Sequence, residues 1–218
     1  MVTESRPGLT TGAPRIGLAP GDLEIVQRFV NTLDIESGTD ELDSPAGLSN
    51  WLAGSGLMTP KAPGGPVRPG EVPVSPAFLS RAVALREALR AVLSSHVPAP
   101  GGPDGLHARA AAAELRKVAG TLRVRIEVRD DGRVAPVPAG AGAAAALARI
   151  LLIVAEADRA GTWPRLKACS AGDCQWAFYD RSPTRSGCWC SMRICGSRAK
   201  SRAYRRRTAA GPGHPQPG

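Results

Sequence analysis

All five cysteines of this 218-residue chain lie between residues 169 and 195. Four of them form two matched pairs, Cys169-x4-Cys174 and Cys190-x4-Cys195, with fifteen residues between the pairs. A tetrahedral Zn²⁺ site needs four soft donors, carried on two short turns and a longer connector, and this spacing supplies them. With every position filled by a thiolate there is no open place for a catalytic water, so the expected metal is one structural zinc. Iron–sulfur clusters also use four thiolates, usually on tighter spacings. A segment of about fifty residues is too small to fold on its own core, and metal binding supplies the missing stability. Cys188 is the surplus thiol. Beside Arg185 and Arg193 it reads as a bystander on a loop or as a redox-active group.

The net charge of +9 is not spread evenly. Residues 161–210 hold 11 Lys and Arg against Asp173 and Asp180, whereas residues 1–160 hold 17 basic and 17 acidic side chains. The basicity therefore belongs to the cysteine module. Four thiolates on one Zn²⁺ carry −2, which leaves the module about +7. A localised positive field of that size favours a polyanion, most simply nucleic acid; the alternative is a solvated basic face. The abundance of Ala, Gly, Pro and Arg resembles a high-GC bacterial coding sequence. Residues 1–20 contain Pro7, Pro14 and Pro20 and no apolar run of signal-peptide length. The most apolar stretch, Ala141 to Ala155, is broken by Arg149 and too short to span a bilayer. The expectation is a cytoplasmic protein with no membrane partner, in a reducing compartment where clustered cysteines read as metal ligands.

Along the chain, residues 1–20 read as a disordered N-terminus and 208–218 as a disordered tail. Between them, 21–160 reads as a mainly helical domain and 161–207 as the zinc module. Asp22 caps a first helix with Leu23, Val26, Val30 and Leu33 at helical spacing. Asp34 to Asp43 is acidic and loop-like. Ser44-Pro45 and Ser75-Pro76 open two further helices with Ser as N-cap and Pro at the first position. The first carries Leu48, Trp51 and Leu52, the second Leu79, Val83, Leu85, Leu89 and Val92. Pro/Gly-rich connectors occupy residues 59–73 and 97–105, and Leu106 to Ala119 is an Ala-rich helix. Leu122, Val124, Ile126 and Val128 alternate with Arg123, Arg125, Glu127 and Arg129, the pattern of a half-buried strand with its apolar row inward. Asp130-Asp131-Gly132 turns the chain into a return strand, and Gly140 to Arg159 is a long apolar helix at the centre of the core. The fold class is thus α+β: a mainly helical N-terminal domain with one β-hairpin, then a small four-cysteine zinc-finger module with a C-terminal basic helix.

After Cys195 comes that basic helix. At 100° per residue, Arg198, Arg202, Arg205 and Arg206 share one arc of about 100°, while Lys200 and Arg207 lie on another face. These six are the candidate nucleic-acid contacts, with Arg198 and Lys200 close enough to the metal to brace it. Trp176, Phe178, Tyr179 and Trp189 lie between the cysteine pairs. They read as packing around the metal, with base stacking as the alternative.

Residues 166–207 resemble the CGNR zinc finger. The residues that carry the likeness are Phe178-Tyr179-Asp180-Arg181-Ser182, Trp189-Cys190-Ser191-Met192, Cys195-Gly196-Ser197-Arg198-Ala199-Lys200 and Tyr204-Arg205-Arg206-Arg207. Ser197 stands where the family has Asn, and Cys188 where it has Arg. The upstream part is similar to the ABATE domain, the partner of this finger, through Arg28-Phe29-Val30-Asn31-Thr32-Leu33-Asp34, Asp43-Ser44-Pro45 with Leu48 and Trp51-Leu52, and Leu85-Arg86-Glu87-Ala88-Leu89-Arg90. The resemblance implies a bacterial transcription regulator: a stress-linked N-terminal domain that senses a ligand or partner, and a finger that holds DNA.

Two other readings stand beside it. One is an RNA-binding or nucleoprotein adaptor. The other is an enzyme stabilised by a zinc module, but only His96, His107 and His214 exist, and neither a phosphate-binding Gly loop nor a nucleophile elbow appears. The expectation is no enzyme. Asn31, Thr32 and Asp34 form the one polar cluster on an apolar helix, a candidate ligand pocket or, more commonly, a helix C-terminal cap.

Overall fold

Two helices begin on Ser-Pro for one physical reason. In α2 (Pro45–Gly54) the Ser44 hydroxyl accepts from the Gly47 N–H, and in α3 (Pro76–Ser95) the Ser75 hydroxyl accepts from the Phe78 N–H. Each serine satisfies an orphan donor of the first turn, and each proline occupies a position with no donor to lose. These contacts come from a computed structural model, which describes residues 17–58, 72–98 and 105–209. The first helix, α1 (Leu23–Val30), stops before Leu33, because Thr32 Oγ1 donates to Phe29 O at 2.8 Å and closes the helix end. Leu33 pairs instead in a two-residue strand β1 (Leu33–Asp34) against β2 (Thr39–Asp40). Asp22 makes no side-chain cap bond; its carboxylate lies 4.0 Å from Arg149.

After α3 come α4 (Gly105–Ala119), the hairpin β3 (Val124–Val128) and β4 (Val134–Pro138), and α5 (Gly142–Arg159). A 3-10 turn, Trp163–Arg165, leads into the pair β5 (Leu166–Ala168) and β6 (Ala177–Tyr179). A single π turn, Met192–Gly196, then runs into α6 (Ser197–Ala209). The expected hairpin is present. Two shorter ones flank it, because Leu33–Asp34 and Leu166–Ala168 lack the length for a period-two signal. α6 extends two residues past 207, and Ala19 is buried with its N–H on Gln27 Oε1 at 2.7 Å, so 17–20 belong to the fold. Residues 1–16 and 210–218, and most of both connectors (59–71 and 99–104), lie outside the described residues.

The core gathers Val26, Phe29 and Val30 of α1, Leu48 and Leu52 of α2, Leu85 and Leu89 of α3, and Leu147 and Ile150 of α5, all fully buried. Phe29 and Trp51 pack with tilted rings 5.1 Å apart between centroids. The same core takes in Trp163, Leu166, Ala168 and Ala177 from the C-terminal module. The boundary expected after residue 160 is therefore crossed by continuous packing. A second, smaller cluster joins Cys169, Ala171, Cys174 and Cys195, with Trp176, Trp189 and Ile194 against it.

One expectation is inverted. Val124, Ile126 and Val128 are 53%, 65% and 68% exposed, and Val134 across from them is 63% exposed. The apolar row of β3 faces solvent, because the hairpin packs on α5 through β4, whose half-buried side carries Ala135 and Val137.

Candidate metal centre and basic helix

The first cysteine pair stands at the open end of the β5–β6 ladder. The Cys169 N–H donates to Trp176 O at 3.0 Å, extending the strand pairing by one rung. Between them the chain turns through Ala171, whose carbonyl accepts from the N–H groups of Cys174 and Gln175, with Gln175 at a left-handed φ of 49°. The second pair is set by the π turn. Ser191 Oγ accepts from Ile194 N–H, and Ser191 O accepts from Gly196 N–H. A Cβ on Gly196 would lie 2.5 Å from Met192 Sδ and 3.3 Å from Trp189 Cδ1, so glycine lets the turn close onto the aromatic ring.

These two turns bring the sulfurs of Cys169, Cys174, Cys190 and Cys195 within 4.8 Å of one another. Cys174 Sγ is 3.6 Å and Cys195 Sγ 3.7 Å from Cys190 Sγ. A tetrahedron of thiolates at a Zn–S distance of about 2.3 Å has edges of roughly 3.8 Å, so the four sulfurs fit zinc. Their electrostatics agree. Contact with Cys169 holds the Cys174 thiol up to about 12 and the Cys190 thiol higher still. Burial, and then the charge on Cys169, raises the Cys195 thiol, while Cys169, hydrogen-bonded by Cys174 and Cys190, is drawn down. Four sulfurs this close cannot ionise together unless a dication joins them. Three of the four are buried, and four thiolates fill a tetrahedral site with no open position for water, so the centre is structural. Cys188 stands apart, half-buried, with its sulfur near Ser186 O at 3.3 Å.

Around the metal centre lies a polar frame that the sequence pattern does not announce. Asp180, 5% exposed, accepts from Lys167 Nζ at 2.8 Å and from the backbone N–H groups of Ser182 and Gly187. Burial alone would raise its carboxyl, but the Lys167 ammonium and these donors outweigh it and hold the group well below the usual carboxylate range. Lys167 spends its other protons on the carbonyls of Arg185 and Gly187. Asp180 thereby fastens the loop between the two knuckles, which gives a physical reason for an Asp after the aromatic pair. A Cβ on Gly187 would sit 2.9 Å from its carboxylate.

Arg90 of α3 ties this module to the helices. Its Nη1 donates to Gln175 O in the first knuckle at 3.0 Å, and its Nη2 to Val30 O at the end of α1 at 2.6 Å. Arg86 grips Asp40 with both Nη atoms, at 2.6 and 2.9 Å, and Glu87 joins the two arginines. The signal for this frame is two arginines placed beside the core leucines Leu85 and Leu89.

Asn31, Thr32 and Asp34 are joints of the fold rather than walls of a ligand pocket. Asn31 donates to Ala177 O at 2.9 Å and accepts from Ala177 N–H at 2.7 Å, acting as a rung of strand for β6. Thr32 caps α1 and accepts from Arg86 at 3.2 Å, and Asp34 accepts from the N–H groups of Glu36 and Ser37. An open cavity of about 460 Å³ lies elsewhere, between the start of α1, β4 and α5, lined by Leu23, Val137, Leu152 and Ile153 among others.

Of the six candidate nucleic-acid residues, all lie on α6. Lys200, Arg205, Arg206 and Arg207 are exposed. Arg198 pairs with Glu36 Oε1 at 2.7 Å and Arg202 with Asp173 Oδ2 at 3.3 Å. Arg193, from the π turn, joins Arg198, Arg202 and Arg205 along one groove that also holds Ser197 and Ser201. Helical spacing does not reach Arg193, because it precedes the helix. Trp176 and Trp189 pack on the cysteine cluster, in line with packing around the metal, whereas Tyr179 packs against the helical core and Phe178 is buried outside both clusters.

The profile of the ABATE family matches residues 23–167, well over half of the chain. The chain belongs to the ABATE family. That family is described as a "putative stress-induced transcription regulator". The CGNR zinc finger profile matches residues 165–208, so the ABATE and finger segments overlap on Arg165–Lys167, where β5 enters the common core. No curated protein matches the chain. Among the described residues no helix is long and apolar enough to cross a membrane.

Proposed function

We propose that this ABATE–CGNR chain is a cytoplasmic transcription regulator that holds DNA through α6 and the π turn. In this reading the zinc centre only braces the helix, and the chain carries no enzymatic activity. The supporting observation is the charge surface: Arg193, Lys200, Arg205, Arg206 and Arg207 project from one short helix and its entry turn. Exposed arginines that close together repel one another unless phosphates lie between them. The helical region serves as the sensing part for a ligand or protein partner. Arg90 and Asn31 give it a mechanical path, since Arg90 holds the first knuckle and Asn31 the strand β6 that follows it, both from the helical side.

The test is a gel-shift and salt titration of the full zinc-loaded chain on duplex DNA, with RNA as competitor. Affinity should fall with salt at a log–log slope of about −0.9 per phosphate contact. Replacing Arg205, Arg206 and Arg207 by Ala should flatten the slope by about two to three units and leave zinc content unchanged. Unchanged binding in that variant would sink the DNA reading, and preferential competition by RNA would move the chain to the adaptor class. Asn31→Ala lies on the sensing path; if it leaves DNA affinity untouched, the helical region does not speak to the finger.

A further inference from the structure

Among the described residues the β3–β4 hairpin leaves one strand edge and one apolar row uncovered. The ladder bonds of this hairpin fix which groups point outward. Arg129 N–H donates to Arg133 O and Ala139 N–H to Arg123 O, so odd-numbered residues of β3 face β4. The N–H and C=O groups of Val124, Ile126 and Val128 therefore point away from β4. Among the described residues β3 has no strand on that side. On β4 the outward positions are Val134, Pro136 and Pro138, opposite Val128, Ile126 and Val124. Two prolines remove the donors there, so the β4 edge is closed to pairing and the β3 edge is open. The open edge also carries the unburied apolar row, Val124, Ile126 and Val128. An open edge beside an exposed apolar face is a surface that natural proteins cover.

The geometry points to an antiparallel β3–β3 pairing about a two-fold axis through Ile126. Only that register overlaps all of Val124–Val128 with itself. It sets Ile126 against Ile126 of the second copy and Val124 against Val128, on one face. On the other face it sets Arg125 against Glu127, twice. The strand is thus complementary to its own reverse in both apolarity and charge, as an isologous interface requires. Arg125 and Glu127 already meet within one chain at 2.7 Å, and both are exposed enough to re-pair across the axis. At the two ends Arg123 would face Arg129, a like-charge pair that opposes the pairing and leaves its strength to the Arg125–Glu127 contacts and the apolar row. The product is a four-stranded sheet, β4-β3-β3-β4, with both outer edges closed by proline. This inference concerns the hairpin alone and does not depend on what α6 binds.

Sedimentation of the full zinc-loaded chain, from low micromolar concentration to the solubility limit, tests it. The expected result is a reversible dimer. Ile126→Pro removes an outward donor that β4 does not use, so it should abolish the dimer while the circular dichroism of the monomer stays unchanged. Arg125→Glu should raise the dimer dissociation constant about tenfold, because two cross-strand pairs turn from attraction to repulsion. Arg125→Glu with Glu127→Arg restores complementarity and should restore the dimer. A monomer at every concentration overturns the inference. So does a dimer indifferent to Ile126→Pro, or a charge reversal that the double exchange fails to rescue. If Ile126→Pro fails to fold, the charge pair alone decides.

Discussion

Arg90 is 3% exposed, and its guanidinium meets two backbone carbonyls from segments far apart in sequence, Val30 O and Gln175 O. Glu87 supplies its counter-charge at 3.0 Å. Replacing it by Met leaves both carbonyls and the Glu87 carboxylate short of a donor. The expected loss is about 3 kcal/mol, read from denaturant midpoints at unchanged slope. Arg90→Lys should recover little, since one ammonium cannot span the same fork. Asp180 makes a complementary prediction about pH. Its carboxyl titrates below the ordinary value in the folded chain, so its contribution is present above that ordinary value and is lost as pH falls through the folded one. The gap in melting midpoint between the parent and Asp180→Asn should be full at neutral pH and begin to close below about pH 4, the unfolded carboxylate range. A gap constant with pH would mean that the carboxylate charge is not what holds the knuckle loop.

At the scale of elements, the strands β5 and β6 belong to two bodies at once. Leu166, Ala168 and Ala177 are buried in the helical core, while Cys169, one residue past β5, is a metal ligand. The sequence pattern divides the chain after residue 160, into a mainly helical domain and a zinc module. The packing argues otherwise. Chelation should release the first knuckle, free the Gln175 carbonyl from Arg90, and lower the melting midpoint of the whole helical region. Near-ultraviolet circular dichroism of two Trp→Phe double variants can separate the outcomes, one keeping Trp51 and Trp163, which report the main core, the other keeping Trp176 and Trp189, which report the metal cluster. If only the latter pair responds to chelator, β5 and β6 do not couple the two bodies. What is legible in the sequence is local. Ser-Pro helix starts, the cysteine pairs and the basic helix each announce themselves within a few residues. The direction in which β3 turns its apolar row is not legible, because period two marks two faces and says nothing about which one the rest of the chain covers. Nor is the role of Asn31, whose partner Ala177 lies 146 positions away.

On the scale of the whole molecule, charge is partitioned but not insulated. The helical region is neutral overall, yet it places Glu36 against Arg198 at 2.7 Å, and the first knuckle places Asp173 against Arg202 at 3.3 Å. Both pairs are exposed, so each is a weak bond in itself, and each occupies an arginine that borders the groove shared with Arg193 and Arg205. A phosphate entering that groove must compete with these carboxylates. Two consequences follow if α6 holds DNA. Glu36→Gln should tighten binding several-fold at low salt, and the slope of log affinity against log salt should steepen by up to about one contact, because Arg198 becomes available to a phosphate. Folding stability should change little, as expected for one surface pair. Adding Asp173→Asn should act further in the same direction, and the two effects should add, since the carboxylates pair with different arginines. A loss of DNA affinity in Glu36→Gln would mean that the Glu36–Arg198 pair instead sets the pose of α6, and that the N-terminal region positions the helix rather than restraining its charge.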